Sequence, residues 1–166
     1  MNHERFMEKA LEGARRALAM GEFPVGCVMV YEDEILVTGG RRRSAPEGQN
    51  ELDHAEMLAL RALIDLERNI DRSRVSVFST LEPCLMCYAA LIINGIRHII
   101  YAYEDVLGGA TGLDLTGLNP FYREMEVTVV PGVLRHESLM LFKRFFSDPD
   151  NRYLRDTLLA RHTMGA

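Results

Sequence analysis

The sequence predicts an α/β fold: a three-layer α/β/α sandwich around a central mixed sheet of about five strands. Two observations carry this reading. Segments with apolar residues at helical spacing take turns with short β-branched and aromatic runs. No linker or internal repeat divides them, so helices should cover both faces of one sheet.

Phe6, Met7, Ala10, Leu11, Ala14 and Leu18 mark an opening amphipathic helix. Val25 to Tyr31 and Ile35 to Thr38 read as strands of a hairpin around the acidic turn Glu32-Asp33-Glu34. Asp53 suits an N-cap, with His54 in the first turn of a helix whose apolar face is Met57, Leu60, Leu63 and Ile64. A strand at Val75 to Ser79 precedes a second helix, in which Pro83 suits the first position and Ala89, Ala90, Leu91 and Ile92 continue an apolar run. A strand at His98 to Tyr103, a glycine-containing loop from Glu104 to Arg123 and a strand at Met125 to Val130 follow. Helices near Val133 to Phe146 and Asn151 to Ala160 end the chain. Residues 1–166 are expected to form a single domain, with 148–166 as a C-terminal helical tail.

Chemistry concentrates in two segments, His54-Ala55-Glu56 and Pro83-Cys84-Leu85-Met86-Cys87. His54, Cys84 and Cys87 supply three zinc-type ligands, whereas a structural zinc takes four. An open fourth position admits water and acidifies it to a pKa of roughly 7, which points to hydrolysis. Cys84 and Cys87 share a helix face near its positive end, which favours thiolates. Glu56 lies about 200° around a regular helix from His54. It is therefore poorly placed as a ligand on the same face, and is free to carry protons. A lone histidine or a lone Cys-x-x-Cys would more often be packing, redox chemistry or half of a structural site.

Composition fits a soluble enzyme. The chain is 48% hydrophobic, enough for a real core, and no apolar run reaches membrane-spanning length. Met1-Asn2-His3-Glu4-Arg5 lacks the apolar stretch of a secretory signal, and three cysteines, two needed reduced for metal, suit a reducing compartment. A cytoplasmic protein is expected. Cys27 reads as a core residue.

His-x-Glu followed by Pro-Cys-x-x-Cys is the pattern of zinc nucleobase deaminases. On these residues, with Phe23-Pro24-Val25-Gly26-Cys27-Val28, Thr80-Leu81-Glu82-Pro83-Cys84 and the glycines between Gly108 and Gly117, the chain resembles the cytidine/deoxycytidylate deaminase superfamily. The similarity is to its branch of bacterial tRNA adenosine deaminases and guanine deaminases. The resemblance implies a cytidine-deaminase-type sandwich, a homodimer and one Zn2+ per chain held by His54, Cys84 and Cys87. It also implies that Glu56 is the catalytic proton shuttle, and that Ala55 and the stretch from Leu81 to Pro83 orient the substrate.

The chain departs from the family where relatives acting on tRNA or purines usually have an asparagine after the second strand. Here it reads Gly39-Gly40-Arg41-Arg42-Arg43-Ser44. Arg41 or Arg42 in that place could bind a phosphate, a carboxylate or a carbonyl-rich ring, or the loop could be a solvated basic one. Asn50 offers an amide from another loop position. Leu113, Asp114, Phe121 and Tyr122 are candidate pocket walls. Tyr153 either reaches over an active site, its own or a partner's, or packs a terminal helix with Leu154, Leu158 and Leu159.

The formal net charge is −5, whereas tRNA is held through its phosphates, and the last segment mixes Arg152, Arg155 and Arg161 with Asp148, Asp150 and Asp156. The balance favours a zinc-dependent hydrolytic deaminase of a free nucleobase, nucleoside or related aminated heterocycle. The alternatives are a tRNA-specific adenosine deaminase making inosine and a non-catalytic, zinc-stabilised binding module.

Overall fold

The structure is a computed structural model that describes residues 1–45 and 48–166. Its helices are α1 (His3–Ala19), α2 (Ala55–Ile64), α3 (Leu85–Ile93), α4 (Pro120–Arg123), α5 (Arg135–Ser147) and α6 (Leu158–Gly165). Its strands are β1 (Gly26–Tyr31), β2 (Glu34–Gly40), β3 (Ser76–Leu81), β4 (His98–Tyr103) and β5 (Thr128–Val130). They form one mixed sheet in the order β2-β1-β3-β4-β5. β1 runs antiparallel to β2 and β3, while β3, β4 and β5 are parallel. This is the expected α/β architecture. Among the described residues no helix is long and apolar enough to cross a membrane.

Strand alternation divides the core. Val28 and Val30 of β1, Phe78 of β3 and Ile100 of β4 cluster with Phe6, Met7, Ala10 and Leu11 of α1. Cys27, Met29, Val77 and Ile99 face the other way, into the cluster of Ala59, Leu60 and Leu63 of α2 with Leu91 and Ile92 of α3. Cys27 is buried in this core, as expected. The β1–β2 hairpin turns through Glu32 and Asp33, both at positive φ, the two-residue turn whose twist matches its strands.

Three local expectations are corrected. His54, and not Asp53, is the N-cap of α2, with an extended ψ of 150°. Asp53 instead carries the Arg43 guanidinium on its side chain and accepts the Arg42 N–H at its carbonyl. Cys84 caps α3 in the same way, so Pro83 stands one residue ahead of the cap, its carbonyl accepting the Ala110 N–H. Neither capping side chain bonds its own helix, which leaves both free to meet. The last helix begins at Leu158, not near Asn151, because local side-chain bonds compete with helix across 151–157. Asn151 Oδ1 accepts the Tyr153 N–H, Leu154 takes a positive φ, and the Thr157 hydroxyl accepts from Ala160 to start α6.

α2 lies so close to β2 that a Cβ on Gly39 would stand 2.1 Å from the Ala55 carbonyl oxygen, whereas one on Gly40 would meet its nearest neighbour at 3.7 Å. Gly39→Ala must therefore shift the first turn of α2 and should lower stability by about 1–3 kcal/mol. Gly40→Ala should stay within about 0.5 kcal/mol of the parent. Urea denaturation of the two variants checks the pair; equal effects would show that the contact does not constrain the helix.

Candidate metal centre

The two expected segments meet. The sheet places the starts of α2 and α3 side by side, and their capping side chains turn towards each other. His54 Nδ1 lies 3.6 Å from Cys84 Sγ and 3.5 Å from Cys87 Sγ, and the three ligand atoms lie within 4.8 Å of one another. A tetrahedral zinc with ordinary Zn–N and Zn–S bonds would set a nitrogen and a sulfur about 3.6 Å apart, so this donor set fits the ion. Two helix N-termini add positive potential where thiolates would sit.

The Cys87 thiol, hydrogen-bonded to Cys84, holds the Cys84 pKa down at about 4, opposed by burial and reinforced by His54. The same bond, with burial, pushes Cys87 up. His54 loses some proton affinity to burial, but Cys84 and the Glu56 charge more than restore it.

Glu56 stands beside the ligands and is buried. Its Oε1 accepts from the Ser79 hydroxyl at 2.8 Å, and its Oε2 lies 3.6 Å from Cys87 Sγ. Burial raises its pKa, against the lowering effects of its own backbone N–H, Ser79 and His54. Ser79 was not anticipated; in sequence it is one of three buried hydroxyl residues of its strand, with Ser76 and Thr80, and nothing there singles it out.

A pocket opens over this cluster, walled by Phe23, Val25, Arg41, Ala55, Leu81, Glu82, Asp105, Tyr153 and Leu154 in addition to His54, Glu56 and Cys84. Of the expected binding residues it contains Ala55, Arg41 and Tyr153. Pro83 lies between two wall residues without lining the pocket. Arg42 is exposed and borders a different groove. Asp114 caps a single 3-10 turn through Thr116, and Phe121 is exposed against Tyr122. Neither of these two reaches the cavity, because the loop that carries them is tied down earlier. There, Glu82 accepts the Asp105 N–H, the Thr111 N–H and the Thr111 hydroxyl. Asn50 turns its side chain to the Leu52 N–H.

The arginine run is split three ways. Arg41 is only 2% exposed, Arg42 is at the surface, and Arg43 pairs loosely with Asp53. Ser44 and Arg43 are anchored by Glu22, so the loop is built and not merely solvated. Glu51 is a further unanticipated residue, with its Oε2 3.3 Å from His54 Nε2.

Residues 1–103 match the family model of the cytidine and deoxycytidylate deaminase zinc-binding region. The chain is 32% identical over 151 residues to tRNA-specific adenosine deaminase 2 of Xenopus tropicalis, covering 86% of this chain and 88% of that protein. A structure from work on A-to-I editing by tRNA A34 deaminases superposes with a TM-score of 0.67 at 30% identity, covering 82% of this chain and 98% of that one. The guanine deaminase of Nitrosomonas europaea superposes with a TM-score of 0.66 at 26% identity, covering 86% and 83% respectively.

The donor set predicts about one zinc per chain in the purified protein. Replacing both Cys84 and Cys87 by Ala should abolish the stoichiometric ion, as measured by metal analysis after dialysis. Zinc retained at one per chain in that double variant would place it elsewhere.

Proposed function

Because the chain belongs to the cytidine and deoxycytidylate deaminase family, we propose that it is a hydrolytic deaminase that removes an exocyclic amine as ammonia, through a single catalytic domain spanning residues 1–166. The observation that carries this reading is Glu56, a buried carboxylate next to a His-Cys-Cys cluster and facing the same pocket. His54, Cys84 and Cys87 would hold zinc, whose Lewis acidity makes water nucleophilic at neutral pH. Glu56 takes the proton from the attacking water and returns protons to the ring nitrogen and to the departing ammonia. Ser79 holds one carboxylate oxygen, leaving the other to move the proton. The start of α2, at Ala55, and the wall from Leu81 and Glu82 orient the ring. A non-catalytic binding module would have no use for a carboxylate buried at this cost.

Adenosine in tRNA is the substrate this reading favours, on the strength of relatives that act there across most of their length. The free-base reading rests on a different observation: Tyr153 and Leu154 of the chain's own C-terminal segment wall the pocket. The net charge of −5 points the same way. A homodimer is expected, and Ile64, Leu85 and Ile93 leave apolar side chains exposed on α2 and α3 for such a contact.

Ammonia release should be measured from tRNA and from a panel of free purines, pyrimidines and nucleosides. Turnover only on tRNA is expected, with inosine as the product. Turnover only on a small molecule would select the second reading. Glu56→Ala should keep its zinc and lose nearly all turnover, more than about a hundredfold; full activity in that variant sinks the mechanism.

The acid limb of the pH profile has a definite sign. Glu56 must be ionised to accept a proton, and burial raises its pKa above the ordinary carboxyl value. kcat/KM should therefore climb with pH through a midpoint above that value and then level off. A profile flat down to pH 4 contradicts the assignment.

A further inference from the structure

We propose that Tyr153 and Arg41 are positioning residues for the metal ligand His54: they fix the Glu51 carboxylate against the imidazole and so tie the C-terminal segment to the metal centre. The inference rests on the zinc reading above and goes beyond its ligand set.

His54 presents Nδ1 to both sulfurs, so a ring that ligates through Nδ1 carries its proton on Nε2. The partner of that nitrogen is Glu51 Oε2, at 3.3 Å. A carboxylate in this place orients the ring and raises its basicity as a ligand. The Glu51 side chain, however, is 53% exposed and would roam if left alone.

Three donors hold it. Tyr153 donates its hydroxyl to Oε2 at 2.9 Å, Arg41 Nη2 reaches the same oxygen at 3.0 Å, and Gln49 Nε2 reaches Oε1 at 2.9 Å. The first two are themselves fixed. Arg41 is buried, its Nη1 donates to the Asn50 carbonyl at 2.8 Å, and its guanidinium lies 5.7 Å from the Tyr153 ring centroid. Tyr153 packs edge-on against Phe23, with ring centroids 5.2 Å apart. Both terminal nitrogens of Arg41 thus donate to the protein itself, and among the described residues its Nε has no partner. That pattern suits a clamp on Glu51 better than a fork waiting for a substrate anion.

The test is zinc competition against a chromogenic chelator, on the full chain, for the parent, Glu51→Gln, Tyr153→Phe, Arg41→Lys and the Tyr153→Phe/Glu51→Gln double variant. Glu51→Gln should weaken zinc binding about 10- to 100-fold. Tyr153→Phe, which keeps the ring against Phe23, should weaken it several-fold, and Arg41→Lys, which keeps the charge without the fork, should do the same. In the Glu51→Gln background the loss from Tyr153→Phe should vanish, because both act through one carboxylate. The absorption bands of the cobalt-substituted protein should shift in each single variant. Unchanged zinc affinity in Tyr153→Phe, or an equal loss in both backgrounds, overturns the inference. A parent chain that takes up no zinc at all overturns the metal reading and the inference with it.

Discussion

Everything at the site depends on the close approach of α2 to the edge of the sheet. The Ala55 carbonyl sits where a Cβ on Gly39 would be, so only glycine lets the helix start that near β2. The position of this first turn sets both His54, at the cap, and Glu56, in the turn itself. From the other side, β1 and β3 pair antiparallel through Cys27 and Ser79, and β3 runs directly into the Cys84 cap. Two helix starts are thereby held side by side, and three ligand atoms converge between them. The site is prepared by backbone packing, and its chemistry is added by side chains.

Charge explains why such a prepared site calls for a cation. Glu56 is buried next to two thiols, one of them with its pKa drawn down to about 4, and Asp105 and Glu82 add carboxylates to the same pocket. Arg41 is the buried counter-charge nearby, and it is already paired with Glu51. Negative groups this close repel each other and lose hydration, which is why Glu56 and Asp105 both have raised pKa values, with burial as the largest cause in each. A divalent ion among His54, Cys84 and Cys87 would offset that repulsion and favour the deprotonated thiols. The burial of Glu56 and the convergence of His54, Cys84 and Cys87 beside it are thus parts of one electrostatic arrangement.

The order of strands and helices was legible in the sequence because apolar residues at helical spacing take turns with short β-branched and aromatic runs, and the hairpin was legible from its acidic turn. The metal cluster was legible because its residues are rare types at tight spacing. What could not be read came from contacts between residues far apart in the chain. Tyr153 and Glu51 are 102 positions apart, yet their side chains bond. The helix expected from Asn151 failed because Asn151 and Thr157 satisfy backbone groups locally, an effect that periodicity of apolar residues does not register. Arg42 and Arg41 look equivalent in sequence, but Arg41 is buried against Asn50 and Glu51 just past the end of β2, while Arg42 is exposed. Asp114 and Phe121 were expected as walls because the matching region of the resembling family borders the active site; here Glu82 holds the loop at Asp105 and Thr111, and neither Asp114 nor Phe121 lines the pocket.

The pocket is assembled from four separate stretches of chain, around Phe23, around Arg41 and His54, from Leu81 to Cys84 with Asp105, and at Tyr153 and Leu154. Only the last lies outside the segment matched by the family model, which ends at residue 103, apart from Asp105 just beyond it. The ligands and most of the wall therefore share one segment, and Tyr153 and Leu154 come to the pocket from outside it. The ligands and Glu56 are fixed by sheet packing, whereas the wall at 153–154 is held by a turn, by aromatic contact with Phe23 and by one hydrogen-bonded carboxylate. A base that enters on a polynucleotide needs room at that rim for its sugar and phosphates, and a free base needs the rim closed to exclude water. On the proposed reading the two substrate classes make different demands on the wall at 153–154, and Tyr153 of that wall shares the Glu51 carboxylate with His54.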